Sequence, residues 1–389
     1  MKRQRLRNVK VYSPSEALRA QLASLLSPMP EVNVELVTST GELECSAPTS
    51  DGFDLIIVHL LGADFDDVAW NRTSYHPAVI FVFDEHRHGV FEKALRAGAN
   101  DVFFVPSLLA DESVFVRSVQ RHLDLAVMAD ENRMYREELE QSLLELQADQ
   151  QAAFHVQTSM LPENGIRVGQ AQFEYALIPS LMLSGDFVDV VKIDDQKAMF
   201  YLADVSGHGA SSAMITVLLK SVSYRLVRKY NEAGQPGPLS PRHCLNKINQ
   251  EILASKVDKH VSIFMAILDY SGEVPTLTYS VGGHHPMPIF ATNTDAFYLT
   301  GKGMSVGLFD EAIFDEQSIE LTEPFRLAMF SDGILELLTQ PGSDAQEAFL
   351  LDKVRHLSEL SPQEIREALL DGDVDVVPDD IAIMTVVGH

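Results

Sequence analysis

From Asn8 to about residue 122, short apolar blocks alternate with stretches whose apolar positions fall three and four apart. "NVKVYS", "FDLIIVHLL", "AVIFVFD" and "DVFFVP" are strand-sized. "SEALRAQLASLL", "VFEKALRAGA" and "ESVFVRSVQRHLDLAV" have helical spacing. Apolar strands alternating with helices predict a parallel sheet covered on both faces. From about residue 120 there is no Gly or Pro until Pro162, and Glu, Leu, Gln and Ala dominate, so a long helix is predicted. Two seven-residue series run through it: Leu125, Asn132, Leu139, Leu146, Ala153 and Met128, Tyr135, Ser142, Asp149, Val156. They have coiled-coil spacing, interrupted by Asn132, Ser142 and Asp149. Beyond residue 170 the texture changes to paired strand candidates: "FEYALIPS", "GDFVDVVKID", "AMFYLADVS", "VSIFMAILDY", "TLTYSVGGHHPMPIF", "RLAMFSDG" and "DIAIMTVV". Helical stretches are predicted over 209–231, 241–255, 333–338 and 345–370. Strand pairs with few crossovers predict antiparallel sheets with helices outside them.

Composition narrows the chemistry. The 389 residues suit two or three domains. Thirty Lys and Arg against 56 Asp and Glu give a formal charge of −26, which argues against nucleic acid or an anionic membrane as partner. Cys45 and Cys244 have no ligand or redox spacing, and the basic start "MKRQRLRNVK" has no apolar core behind it. No run reaches the length of a membrane span. A reduced, cytoplasmic setting is the expectation.

Four segments bring an apolar strand to an Asp beside small residues: Asp186 in "LSGDFVDV", Asp204 in "FYLADVSGHG", Asp332 in "LAMFSDGILE", and Asp379 with Asp380 in "VVPDDIAIMTVV". Taken singly, an Asp before Gly is most often a turn former. Together, acidic strand ends that converge repel one another unless a cation sits between them. Hard oxygen ligands without His or Cys point to Mg2+ or Mn2+, and a pair of such ions activates water for attack on a phosphate ester.

These motifs resemble the SpoIIE/RsbU-type branch of the metal-dependent protein phosphatases (the protein phosphatase 2C superfamily) over about residues 150–389. "VQTSMLP", "SGDFVDV", "DVSGHGASSAM", "VGGHHPMPIF", "SVGLF", "FSDGILE" and "DDIAIMTVV" follow the family's order. The resemblance implies two packed antiparallel sheets flanked by helices, and two Mn2+ or Mg2+ ions held by Asp186, Asp204, Asp332 and Asp379, with the Val205 backbone and Asp380 as further candidates. It implies hydrolysis of a phosphoserine or phosphothreonine on a STAS-type anti-sigma-factor antagonist in a partner-switching pathway. Ser184 and Ala382 depart from the family's Gly and Thr. Ser206 stands where eukaryotic members have an acid His, so His208, His284 and His285 are read as structural. A non-catalytic adaptor is the rival reading, against which the retained carboxylates argue.

The front segment resembles a response-regulator receiver with a CheY-like doubly wound sheet. Ser13-Pro14-Ser15 replaces the acidic pair, His59 the phosphoacceptor Asp, Phe83 the switch hydroxyl and Val105 the Lys. Asp64, Asp66 and Asp67 are read as a solvated loop. The expected organisation is a degenerate receiver over 8–122, a helical linker with possible coiled coil over 123–160, and a phosphatase domain over 161–389. A homodimer through the linker and an unidentified input partner at the receiver-like part complete the expectations.

Overall fold

The computed structural model describes residues 6–39, 52–61, 77–86, 89–232, 239–357, 361–369 and 377–389. Asp64, Asp66, Asp67 and Cys45 lie outside the described residues. The chain divides into two compact units, Met1–Leu143 and Leu144–His389.

In the first unit the elements are β1 (Arg7–Tyr12), α1 (Glu16–Leu26), β2 (Val32–Val37), β3 (Leu55–Leu60), β4 (Ala78–Phe83), α2 (Val90–Arg96), β5 (Asp101–Phe104) and α3 (Val105–Ala110). They are followed by α4 (Glu112–Ser159). The strands form one parallel sheet in the order β2-β1-β3-β4-β5. That is the doubly wound order of the CheY-like folds. β3 is buried along its whole length because helices cover both faces. On one face Leu18, Leu22, Phe115, Val119 and Leu123 pack against Val9, Ile57 and Ile80. The strand expected to stop at Pro106 ends at Phe104, and Pro106 instead opens α3, where its missing N–H is no loss.

His59 ends β3 and is 1% exposed. Its Nδ1 lies 2.7 Å from Ser13 Oγ, and its Nε2 lies 3.0 Å from Asp84 Oδ1. In the tautomer that donates Nε2–H to Asp84, Nδ1 accepts the Ser13 hydroxyl. The position of an acidic phosphoacceptor is thus filled by an imidazole in a hydrogen-bonding chain across the ends of three strands.

The last helix of the receiver-like sheet and the expected linker are one uninterrupted helix, α4. Its early turns are buried in the first core, whereas every residue from 131 to 149 is exposed. No Gly or Pro occurs there to end it. Leu125, Met128, Tyr135, Leu139, Leu146 and Val156, all members of the two heptad series, are each more than half exposed.

The second unit contains β6 (Ile166–Val168), β7 (Ala171–Ile178), β8 (Phe187–Lys192), β9 (Lys197–Val205), α5 (Ala210–Glu232), α6 (Pro241–Ser255), β10 (Val261–Asp269) and β11 (Thr276–Gly282). It continues with β12 (Ile289–Ala291), β13 (Ala296–Tyr298), β14 (Glu316–Glu320), β15 (Phe325–Phe330), α7 (Gly333–Glu336), α8 (Ser343–His356), α9 (Pro362–Leu369) and β16 (Ile381–Gly388). Two antiparallel sheets, β14-β11-β10-β9-β8 and β13-β12-β15-β16-β7-β6, pack face to face. Alternation decides the layers. Val188, Val190, Phe200, Leu202, Phe264 and Ala266 face the second sheet, where they meet Phe173, Leu327, Met329 and Met384. Phe187, Val191, Met199 and Tyr201 face Ile215 and Leu219 of α5 and Leu245, Ile248 and Ile252 of α6. Helices α7 to α9 cover the other side of the second sheet. The run "TLTYSVGGHHPMPIF", expected as one strand, splits at Gly283. β11 stays in the first sheet and β12 crosses to the second. The helix expected over 345–370 is two, α8 and α9.

The His59 chain predicts a stability effect without a cavity. His59→Leu removes one partner each from the buried Ser13 hydroxyl, which keeps its bonds to Ser15, and from Asp84, and is expected to lower urea-unfolding stability of the full chain by about 1 kcal/mol.

Candidate active site

The carboxylates come from both sheets at one end of the sandwich. Asp186 immediately precedes β8, and Asp204 is the penultimate residue of β9. Asp332 follows β15 and caps α7, and Asp379 and Asp380 lead into β16. Close backbone approach brings these ends together. A Cβ on Gly185 would lie 2.7 Å from the Val205 carbonyl oxygen, and one on Gly333 would lie 2.1 Å from the Asp380 carbonyl oxygen. Only glycine fits at either point. The Val205 N–H donates to the Gly185 carbonyl at 3.2 Å, which ties the Asp204 end to the Asp186 end.

Electrostatics report how crowded this rim is. Asp186 is 2% exposed, and its Oδ2 has no hydrogen-bond partner. Burial first, then the Asp204 charge, hold its carboxyl well above the usual range, with Asp380 and Asp332 adding to the effect. Burial followed by Asp332 and Asp379 pushes Asp204 up to about 7. Asp332, on the solvent side of the rim, is raised by partial desolvation and by Asp379. Each member of the group is therefore felt by others. Asp380 differs. Its Oδ1 accepts from Ser180 N–H (2.7 Å) and Ser180 Oγ (2.8 Å), and its Oδ2 accepts from Gly185 N–H (2.7 Å). Both oxygens thus brace the loop that delivers Asp186.

Neighbouring hydroxyls, which sequence reasoning did not single out, position the acids. Ser262, the cross-strand partner of Asp204, places its Oγ 3.4 Å from Asp204 Oδ2. The Ser331 hydroxyl donates to the Asp380 carbonyl at 3.4 Å and accepts from Ala382 N–H at 2.8 Å, and its nearness offsets part of the rise in the Asp186 pKa. Ser331 lies inside "FSDG", so its place in a motif was visible although its partners were not. Ser184, the departure from the family's Gly, accepts from Asp186 N–H through its Oγ at 3.0 Å. Gln157, near the end of α4, is 6% exposed. Its Nε2 donates to the Ser184 carbonyl (2.8 Å) and to Thr216 Oγ1 (3.3 Å) of α5, while its Oε1 accepts from Ser184 N–H (3.3 Å).

The imidazoles separate by burial. His284 is 5% exposed, its ring nitrogens find no partner, and burial lowers its pKa to about 3. It is neutral at any physiological pH. His285 is half exposed, lies 3.7 Å from Glu347, and its charge favours ionised Asp332. His208 is exposed beside the Gly207–Gly209 turn. Lys259 donates to the Ser206 carbonyl at 2.7 Å and fixes that turn from the side.

Among the described residues no three His, Cys, Asp or Glu side chains stand close enough to close around one metal ion. The fit to divalent cations rests on the buried, unpartnered Asp186 Oδ2, on the mutual elevation of three carboxyl pKa values, and on an all-oxygen donor set.

Residues 194–387 match the protein family described as stage II sporulation protein E (SpoIIE). The chain is similar to phosphoserine phosphatase RsbU of Bacillus subtilis, at 27% identity over 205 residues, covering 51% of this chain and 56% of that protein. It is similar to phosphoserine phosphatase RsbP of the same organism at 24% identity over 170 residues, covering 43% of this chain and 40% of that one. The chain thus spans about half the length of the curated relatives it matches. Among solved structures, the SiaA-PP2C domain of Pseudomonas aeruginosa superposes with a TM-score of 0.52 at 16% identity, over 64% of this chain and 99% of that one. That likeness concerns the fold.

A pH dependence follows from Asp204. Its folded pKa of about 7 lies above the ordinary aspartate value of 3.8. Between those values the metal-free folded state holds a proton that the unfolded chain has released, so stability falls as pH rises through the window and is fully diminished above it. Thermal melts in chelator at pH 5, 6, 7 and 8 are expected to fall more steeply for the native chain than for Asp204→Asn. Added Mn2+ is expected to reverse the trend, because the ionised carboxylates then gain a partner. Equal slopes for the two proteins would contradict the assignment.

Proposed function

Residues 194–387 form a SpoIIE-type PP2C domain, and on that premise we propose that the chain is a metal-dependent phosphatase acting on phosphoserine or phosphothreonine in a protein. The observation that carries the reading is the convergence of acidic strand ends from both sheets on one rim, where the buried Asp186 Oδ2 has no partner. A bound pair of Mn2+ or Mg2+ ions supplies an activated water and neutralises the phosphoryl oxygens. Asp186, Asp204, Asp332 and Asp379 hold the ions, with the Val205 carbonyl as a backbone donor. Ser262 orients Asp204, and Ser331 stands beside Asp186. Asp380 keeps the 180–185 loop in place. Lys259 and the two glycines shape the turn that lets substrate phosphate approach Asp204.

The substrate we propose is a phosphorylated STAS-type anti-sigma-factor antagonist, and the pathway is partner switching in the cytoplasm. Support comes from the similarity to RsbU and RsbP, both phosphoserine phosphatases. No helix among the described residues is long and apolar enough to cross a membrane.

Regulation belongs to the receiver-like unit and α4. At the phosphoacceptor position itself stands the imidazole of His59, held by Ser13 and Asp84 and not a carboxylate, which favours contact with a partner as the input. The exposed heptad residues of α4 support pairing of two copies through this helix. Gln157 supports control through packing, because it joins the end of α4 to both the Asp186 loop and α5. A shift of α4 then reaches a ligand through two hydrogen bonds.

Incubation with a phosphorylated STAS protein, with and without Mn2+, followed by mass measurement tests the reading. Loss of one phosphate only with Mn2+ is expected, and Asp204→Ala is expected to slow it about a hundredfold or more. A phosphoprotein left intact together with an inert p-nitrophenyl phosphate control would remove the enzyme reading in favour of an adaptor.

A further inference from the structure

Asp189 is buried on the helix-facing side of β8 with 0% exposure, a costly place for a carboxylate. Three elements meet at its two oxygens. Lys220 of α5 places Nζ 3.0 Å from Oδ1. Tyr201 of β9, the cross-strand register partner of Asp189, directs its hydroxyl to Oδ2 at 3.5 Å. Lys220 is itself mostly buried, with its ammonium 4.9 Å from the Tyr224 ring centre. The sequence positions matter. Asp189 lies three residues after Asp186 on one strand, and Tyr201 lies three residues before Asp204 on the next. The helix bearing Lys220 starts directly after the Gly207–Gly209 turn that follows Asp204.

Along its middle turns α5 otherwise packs on the sheet through apolar side chains, Ile215, Leu219 and Val222 against Phe187, Val191 and Tyr201. Apolar contact is non-directional and resists sliding of the helix along the strands poorly. An ion pair with one geometry does resist it. Burial outweighs Lys220 and leaves the Asp189 carboxyl above its usual pKa range, so the pair is a poor source of net stability. Its use is registry.

We propose that Asp189 and Lys220 are positioning residues that lock α5 against β8 and β9, and so fix the distance between the Asp186 and Asp204 carboxylates for divalent-cation binding. The proposal rests on the reading of the rim as a cation site. Asn231 of α5 adds a distal anchor, donating to the Ile193 carbonyl at 3.0 Å just past β8. Near the rim Gln157 joins Thr216 to Ser184. The Asp189–Lys220 pair is the charged link between these two neutral ones, and it is the one that touches both ligand-bearing strands.

The test separates packing from positioning. In the full-length chain, Asp189→Leu combined with Lys220→Met replaces the pair by apolar side chains of similar size. The double variant is expected to melt, in chelator, at or above the native temperature. Its Mn2+ affinity by titration calorimetry is expected to fall about tenfold or more, as for other supporting partners of metal ligands. A folded double variant with native Mn2+ affinity overturns the proposal. If it does not fold, Asp189→Glu decides: it keeps both charges and lengthens the link by one methylene, so weakened Mn2+ binding supports the proposal and unchanged binding overturns it. A native chain that binds no Mn2+ at all instead overturns the phosphatase reading on which the proposal stands.

Discussion

Repulsion between carboxylates is the constraint around which the second unit is organised. Two sheets meet at one end, and each contributes acidic strand ends to the junction. Apolar packing behind them, from Val188 and Leu202 to Leu327 and Met384, holds the sheets together regardless of that repulsion. The result is a set of side chains whose charged forms are disfavoured in the folded state, as the elevated Asp186 and Asp204 carboxyls express. Such a site has a standing preference for a divalent cation, because a cation removes desolvation and repulsion together. Binding energy that elsewhere orders a loop is here available to relieve a strain that the core has imposed.

Adjacent acids in one motif have opposite tasks, and the difference is set by donors. Asp379 is exposed at the rim, whereas both Asp380 oxygens accept hydrogen bonds from Ser180 and Gly185. Asp186, by contrast, keeps one buried oxygen without a partner. The brace and the ligand therefore reinforce each other. Asp380 fixes Gly185, Gly185 admits the Val205 carbonyl at a distance no side chain allows, and that approach puts Asp186 beside Asp204. The Asp189–Lys220 pair acts on the same two strands from the opposite face.

Much of this was legible in the sequence, for a physical reason. A carboxylate at the end of an apolar strand is conspicuous because the strand's own pattern locates it, and so Asp186, Asp204, Asp332 and Asp379 stood out. The parallel sheet of the first unit and the antiparallel character of the second followed from spacing alone. Partners distant in the chain were not legible. Ser180 and Asp380 are 200 residues apart, and Gln157 and Thr216 are 59 apart. Nothing in a local pattern marks either pair. Short edge strands such as β6, β13 and β14 were missed because three to five half-exposed residues carry too little periodicity. The GGHHP segment misled because both halves are apolar, although its backbone changes sheets between them.

In the first unit the same physics runs in reverse. A receiver-like sheet has its strand ends at one edge, where acidic side chains would again repel and invite a cation. Here Ser13, His59 and Asp84 satisfy one another across β1, β3 and β4. A site whose polar groups are already paired gains little from Mg2+, and at the phosphoacceptor position it presents an imidazole in place of a carboxylate. Its conformational preference is consequently built in, and only a partner with unequal affinity for two arrangements can shift it. The chain thus places a satisfied polar cluster where a signal would have entered chemically and an unsatisfied one where chemistry is to occur.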